Sequence, residues 1–190
     1  MSPGRKSYPV RSALVIAHPG HELRVLGWYE QARPTTFVLT SGSGSGEIGR
    51  VSISHSLAHK TKSAIGSLFG RYLDGQIYDA ILGREFSIFV DWTTELTNAL
   101  VALDPELLVA DNWQFYNVMH DLVHLMARLA VERAGRQLGR KIELVEFDVA
   151  PRSVGAMLPE GQEAFRIELD DCPFCASRPR QISLKYATRQ

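Results

Sequence analysis

The stretch Ala13-Leu-Val-Ile-Ala-His-Pro-Gly-His-Glu22 decides the fold. Residues 13–17 form an unbroken apolar run, the pattern of a strand covered on both faces in a parallel sheet. The run stops at His18, so that imidazole is presented at the rim of the sheet. His21 follows three residues later and can meet the same ligand. Imidazole is the commonest protein metal ligand near neutral pH, which makes this turn the first place to look for chemistry.

Outward from this phrase, the chain alternates between two periodicities. Leu23, Leu26 and Trp28 have helical spacing over 21–32, and Pro34 closes that segment. Residues 36–40 are β-branched and aromatic, as in a strand, and 41–46 (Ser-Gly repeated) are a loop by composition. The apolar positions Ile53, Leu57, Ala64, Ile65 and Leu68 predict a helix over 51–69 with a break near Gly66. Asp74 reads as the cap of a short helix running through Tyr78 to Leu82. A long helix over 86–103 carries Phe89, Trp92, Leu96, Ala99 and Leu103 on one stripe. A strand over 107–110 ends at Asp111, a strongly apolar helix runs over 118–134, and a fourth strand covers 142–149 before Pro151. Strands alternating with helices predict an α/β fold: a Rossmann-like, mostly parallel sheet with helices on both faces. The expected division is a flexible arm over 1–10, an α/β domain over 11–150, and an extension over 151–190 packed on that domain or trailing from it.

In open α/β sheets, ligands bind outside the carboxyl ends of the strands. The strand ending at His18 and the strand ending at Asp111 both finish in polar phrases. If they are neighbours, His18, His21, Asp111 and His120 share one rim. The six histidines fall in three pairs. His120 and His124, four apart on a helix, share a face, but the apolar neighbours of His124 suit a half-buried core position. His55 and His59 repeat the spacing among serines and lysines and read as a solvated face. The loop 41–46 lacks the Lys of a phosphate-binding loop, yet it follows a strand's carboxyl end and borders the expected pocket. Arg50 just beyond it is a candidate for an anionic substrate group. Trp113, Phe115 and Tyr116 serve either as a stacking wall for a ligand or as packing under a loop, with Tyr116 the preferred substrate contact.

Composition narrows the classes. Hydrophobic residues at 45% and charged residues at 22% are those of an ordinary globular chain, and 190 residues suffice for one domain. Lys plus Arg and Asp plus Glu both number 21, so no basic footprint for nucleic acid or an anionic membrane exists. The apolar run after Arg11 is too short for a signal peptide or a span. Cys172 and Cys175 are too few for a secreted disulfide framework, and half a zinc or redox site by spacing. The expectation is a cytoplasmic protein with a small-molecule partner. Trp28, Trp92 and Trp113 leave room for a face that a homo-oligomer would bury.

At Ala17-His-Pro-Gly-His-Glu22 the chain resembles the PIG-L/LmbE-like family of zinc-dependent N-acetyl-sugar deacetylases, whose first motif is Ala-His-Pro-Asp-Asp-Glu directly after the first strand. The family's later His-Pro-Asp-His stretch is matched loosely by Tyr116-Asn-Val-Met-His-Asp121. The resemblance covers about 13–149 in element order as well. It implies an LmbE-like fold, zinc as cofactor, and metal ligands at His18, His21 and His120. His21 stands where the family has an Asp ligand, Gly20 where it has the Asp general base, and Asn117 where it has an assisting His. Glu22 and Asp121 are the remaining catalytic candidates, Glu22 reading better as support for the ligands. Arg50, Tyr116 and Asn117 are the substrate-binding candidates. Three neutral imidazoles bind zinc tetrahedrally and leave a fourth position open. The implied activity is metal-assisted amide hydrolysis on an N-acylated amino sugar. The altered motif equally suits a catalytically impaired relative that serves as a binding or assembly partner.

Overall fold

The computed structural model describes residues 10–46 and 48–150, together with the backbone of two further short strands. Cys172, Cys175, the arginines from Arg178 onward and the arm before Val10 lie outside the described residues.

The elements in order are β1 (Ser12–Ile16), a 3-10 turn (His21–Val25), α1 (Leu26–Ala32), β2 (Thr35–Thr40), α2 (Val51–Thr61), β3 (Ala64–Tyr72), α3 (Asp74–Gly83), α4 (Ser87–Leu103), β4 (Leu107–Asp111), α5 (Val118–Leu138), β5 (Glu143–Phe147), β6 (Gln162–Ala164) and β7 (Lys185–Thr188). The sheet runs β3-β2-β1-β4-β5-β7-β6, its first five strands all parallel. β7 lies antiparallel to β5, and β6 antiparallel to β7.

The two faces follow from the period of β1. Ala13, Val15 and Ala17 pack into one core with Phe89, Trp92 and Leu96 of α4 and Met119, Val123 and Ala127 of α5. Leu14 and Ile16 point the other way, into a second core with Trp28 and Tyr29 of α1 and Phe147 of β5. Every residue of β1 is buried, which is why its sequence is a continuous apolar run rather than an alternation. Full burial of a large apolar side chain contributes about 1.5–3 kcal/mol. Trp28 and Trp92 are spent on these cores, so they form no external face.

The sequence reading erred at 64–72, which is an edge strand rather than the end of a helix. α2 stops at Thr61, where Lys62 turns into the left-handed region with φ 60°. Gly66 is there because Phe37 lies against it: a Cβ at 66 would sit 2.3 Å from the ring. Asp74 also differs from expectation, since Leu73 is the N-cap of α3 and Asp74 its first residue.

The adjacency the site requires is present. β1 pairs with β4 over Ser12↔Leu107 to Val15↔Ala110, and with β2 on its other side. From β1 the chain moves one way to β2 and β3, and from β4 the other way to β5. β1 and β4 therefore straddle the point where the winding reverses, where a crevice opens at the carboxyl ends.

Candidate metal centre at the rim of β1 and β4

Two short-range arrangements bring the histidines together. After His18 the chain turns through Pro19 and Gly20, whose φ of 104° suits glycine. Glu22, fully buried, closes the turn: Oε2 accepts from the Gly20 amide at 2.8 Å and Oε1 accepts from the Ser54 hydroxyl at 2.5 Å. Across the rim, Asn117 caps α5 by accepting from the Met119 amide at 2.8 Å, which sets His120 in the first turn. The His18 ring centre lies 5.3 Å from both His21 and His120, and those two are 4.6 Å apart.

The hydrogen bonds fix two of the three tautomers. The buried Thr40 hydroxyl donates to the Ala17 carbonyl at 3.0 Å, so its oxygen is left to accept from His18 Nδ1–H at 2.7 Å. Asp111, with Oδ2 accepting from the Ala17 amide at 2.8 Å, accepts from His21 Nδ1–H at the same distance. Each ring keeps its Nε2 lone pair free for a ligand. His120 Nδ1 is buried without a hydrogen-bond partner.

Burial, the largest influence, lowers the pKa of His18, against the opposing pull of Asp74 and Asp111. Burial likewise pushes His120 down to about 4, with Asp111 opposing and the two other histidines adding to the depression. These imidazoles are neutral at pH 7, the state in which a metal takes them. Two carboxylates flank them. Asp111 is fully buried, and Asp74 lies with Oδ1 3.4 Å from His18 Nδ1. The Oδ1 atoms of both have no hydrogen-bond partner. Buried carboxylate oxygens without donors are costly. Neutral imidazoles, an orphaned ring nitrogen and under-compensated carboxylates together fit a divalent cation. Among the described residues, no group of three or more His, Cys, Asp and Glu side chains is already gathered to hold one.

The other candidates have definite places. Asp121 Oδ1 accepts from the amides of Gln114 and Phe115, at 3.0 and 3.3 Å, and so pins the loop between β4 and α5. The exposed Tyr116 ring is 6.0 Å from that of His120. Asn117 is spent on its cap and also accepts from the Tyr78 hydroxyl at 3.2 Å. Arg50 donates from Nε to the Gly42 carbonyl at 2.8 Å, and its charge contributes to lowering the His18 pKa. His55 and His59 are exposed on α2, unlike the histidines at the rim. His124 is buried against Glu146 of β5, Nδ1 to Oε1 2.5 Å. Sequence reasoning missed Thr40, Asp74 and Glu146. Thr40 ends a strand beside β1, and that position was the signal available.

No known family's profile and no curated protein matches the chain. Among solved structures, the chain is similar to the antimicrobial reagent A40926 pseudoaglycone deacetylase, at 15% identity and TM-score 0.55, over 83% of this chain and 73% of that one. A triple mutant of a deacetylase of the teicoplanin biosynthetic pathway is alike at 13% identity and TM-score 0.51, over 84% and 75%. A deacetylase–bog complex of the same pathway gives 14% and 0.51, over 83% and 78%. The shared feature is the α/β fold.

Proposed function

We propose that this protein is a divalent-metal-dependent amide hydrolase of the deacetylase type, a divergent relative of the PIG-L/LmbE-like family. Its metal, zinc or a similar ion, is held by His18, His21 and His120. The observation that carries the reading is the mutual spacing of three imidazoles, two of them buried and the third, His21, half-buried. Nitrogens about 2.0–2.1 Å from a tetrahedral ion place the ring centres about 5 Å from one another, against 4.6–5.3 Å here. At that separation, turning the rings is what brings three nitrogens to one point.

When bound, such an ion acts as a Lewis acid that lowers the pKa of water and polarises an acyl carbonyl. The chain's own residues do the rest in this reading. Asp111 and Thr40 hold the Nδ1 protons of His21 and His18, so the opposite nitrogens stay unprotonated. Glu22 keeps the turn between them closed. Asp121, next to His120, would take a proton from the attacking water and pass it to the leaving amine as the C–N bond breaks. Arg50 receives an anionic substrate group, Tyr116 stacks on a sugar face, and Asn117 keeps the start of α5 in place beside the substrate. The resemblance of the first motif to the N-acetyl-sugar deacetylases supports the substrate class, an N-acylated amino sugar or a related small molecule, and the structural neighbours are themselves named deacetylases.

One observation favours a second reading, a catalytically impaired binding or assembly partner: Gly20 offers no side chain where the resembling family has its base. Acetate release from a panel of N-acetyl amino sugars, with and without added zinc, separates the two. Metal-dependent release that disappears in His18→Ala supports the hydrolase. Bound metal with no release across the panel supports the partner.

A further inference from the structure

We propose that Asp74 is a positioning residue that fixes His18 for the metal; this rests on the metal reading above. Asp74 opens α3 directly beyond the end of β3 and is held from two sides. Its amide donates to the Ser43 hydroxyl at 3.1 Å, and its Oδ2 accepts from the Gly44 amide at 2.7 Å. Its Oδ1 is buried, has no hydrogen-bond partner and lies 3.4 Å from His18 Nδ1.

The Nδ1–H of His18 thus lies between a hydroxyl that accepts it and a carboxylate that waits. Thr40 Oγ1 accepts it at 2.7 Å, but a hydroxyl oxygen is a neutral acceptor. A cation on the far nitrogen withdraws density from the ring and strengthens Nδ1–H as a donor. The buried carboxylate then stabilises the loaded ring more than the empty one, as carboxylate–histidine–metal arrangements do. The same chemistry is already formed at His21, whose Nδ1 is 2.8 Å from Asp111. Each histidine of the 18–21 turn therefore has its own acid, one from the end of β3 and one from the end of β4. The Oδ1 that costs stability in the empty protein has its use in the loaded one.

The test is zinc affinity, measured on the full chain by competition with a chromophoric chelator. Asp74→Asn keeps the shape and an acceptor for the Gly44 amide but removes the charge. Its zinc Kd is expected to rise about 10–100-fold, while the metal-free melting temperature is unchanged or higher. A Kd within about twofold of wild type overturns the proposal, because a clamp for the loop alone would leave Kd untouched and lower the melting temperature. Absence of zinc binding by the wild type overturns the metal reading, and this inference with it. Should Asp74→Asn not fold, Asp74→Ser also removes the charge and is read the same way: a zinc Kd raised about tenfold or more is expected, and a Kd within about twofold of wild type overturns the proposal.

Discussion

His120 and His124 stand one turn apart on the same side of α5, both buried, yet they meet opposite company. His120 faces two imidazoles from the turn after β1, and its Nδ1 has no hydrogen-bond partner. His124 faces a carboxylate of β5, with the Trp113 ring 5.4 Å away. Helical spacing placed both rings over the sheet, and the strand beneath each one set its chemistry. The first cluster gathers three imidazoles, the ligand set proposed above; the second is a buried histidine–glutamate contact, in which His124 Nδ1 and both Glu146 carboxylate oxygens likewise lack a hydrogen-bond partner. In the proposed reading, the difference between a ligand set and a structural ion pair lies in the strand ends, not in the helix.

The largest expected effect breaks the first half of this comparison. His18→Ala and His120→Ala should lose about one equivalent of bound metal, while His124→Ala retains it, by plasma mass spectrometry. Retention in all three variants would dissolve the distinction. The second effect breaks the other half. His124→Ala strands Glu146, only 1% exposed, and should cost about 3 kcal/mol in denaturant unfolding.

A pH scan of the metal-free protein sharpens the contrast. His120 has its folded pKa depressed to about 4 from 6.5. The unfolded chain therefore binds the proton first as pH falls. Stability from this group is intact above about pH 6.5 and is lost as pH falls toward about 4, by up to about 1.4 kcal/mol per unit. A shallower slope in His120→Gln is the expected control. Gly20→Asp should show the smallest effect. Space is open around its Cβ, but φ is 104°, so the strain costs about 1 kcal/mol in the same unfolding assay.

Much of the α/β frame was legible because its central strands are buried on both faces. The runs at 13–17 and 107–110 are short and bounded by turn residues, which favours strands over helices, and both end in polar residues that the topology brings together. β3 was not legible. As an edge strand it buries Leu68 fully but leaves Ile65 exposed. Its pairing with β2 shifts register twice, so no period of two survives in the sequence. Its apolar positions mimic helical spacing, and Gly66 answers to a ring on a neighbouring strand. Asp74 was rightly placed at a helix start, but with β3 taken for helix it was not seen to follow a strand's carboxyl end as well, which concealed its place beside His18. The histidine cluster was legible by position, whereas Thr40 and Glu146 carry no local sign of their partners. No helix among the described residues is long and apolar enough to cross a membrane.

The most direct test of the central claim is X-ray absorption at the zinc edge of the metal-loaded protein. A shell fitted by three histidine nitrogens at about 2.0–2.1 Å is the predicted result. A sulfur shell near about 2.3 Å would move the metal to Cys172 and Cys175, and either that outcome or failure to load zinc would contradict the account.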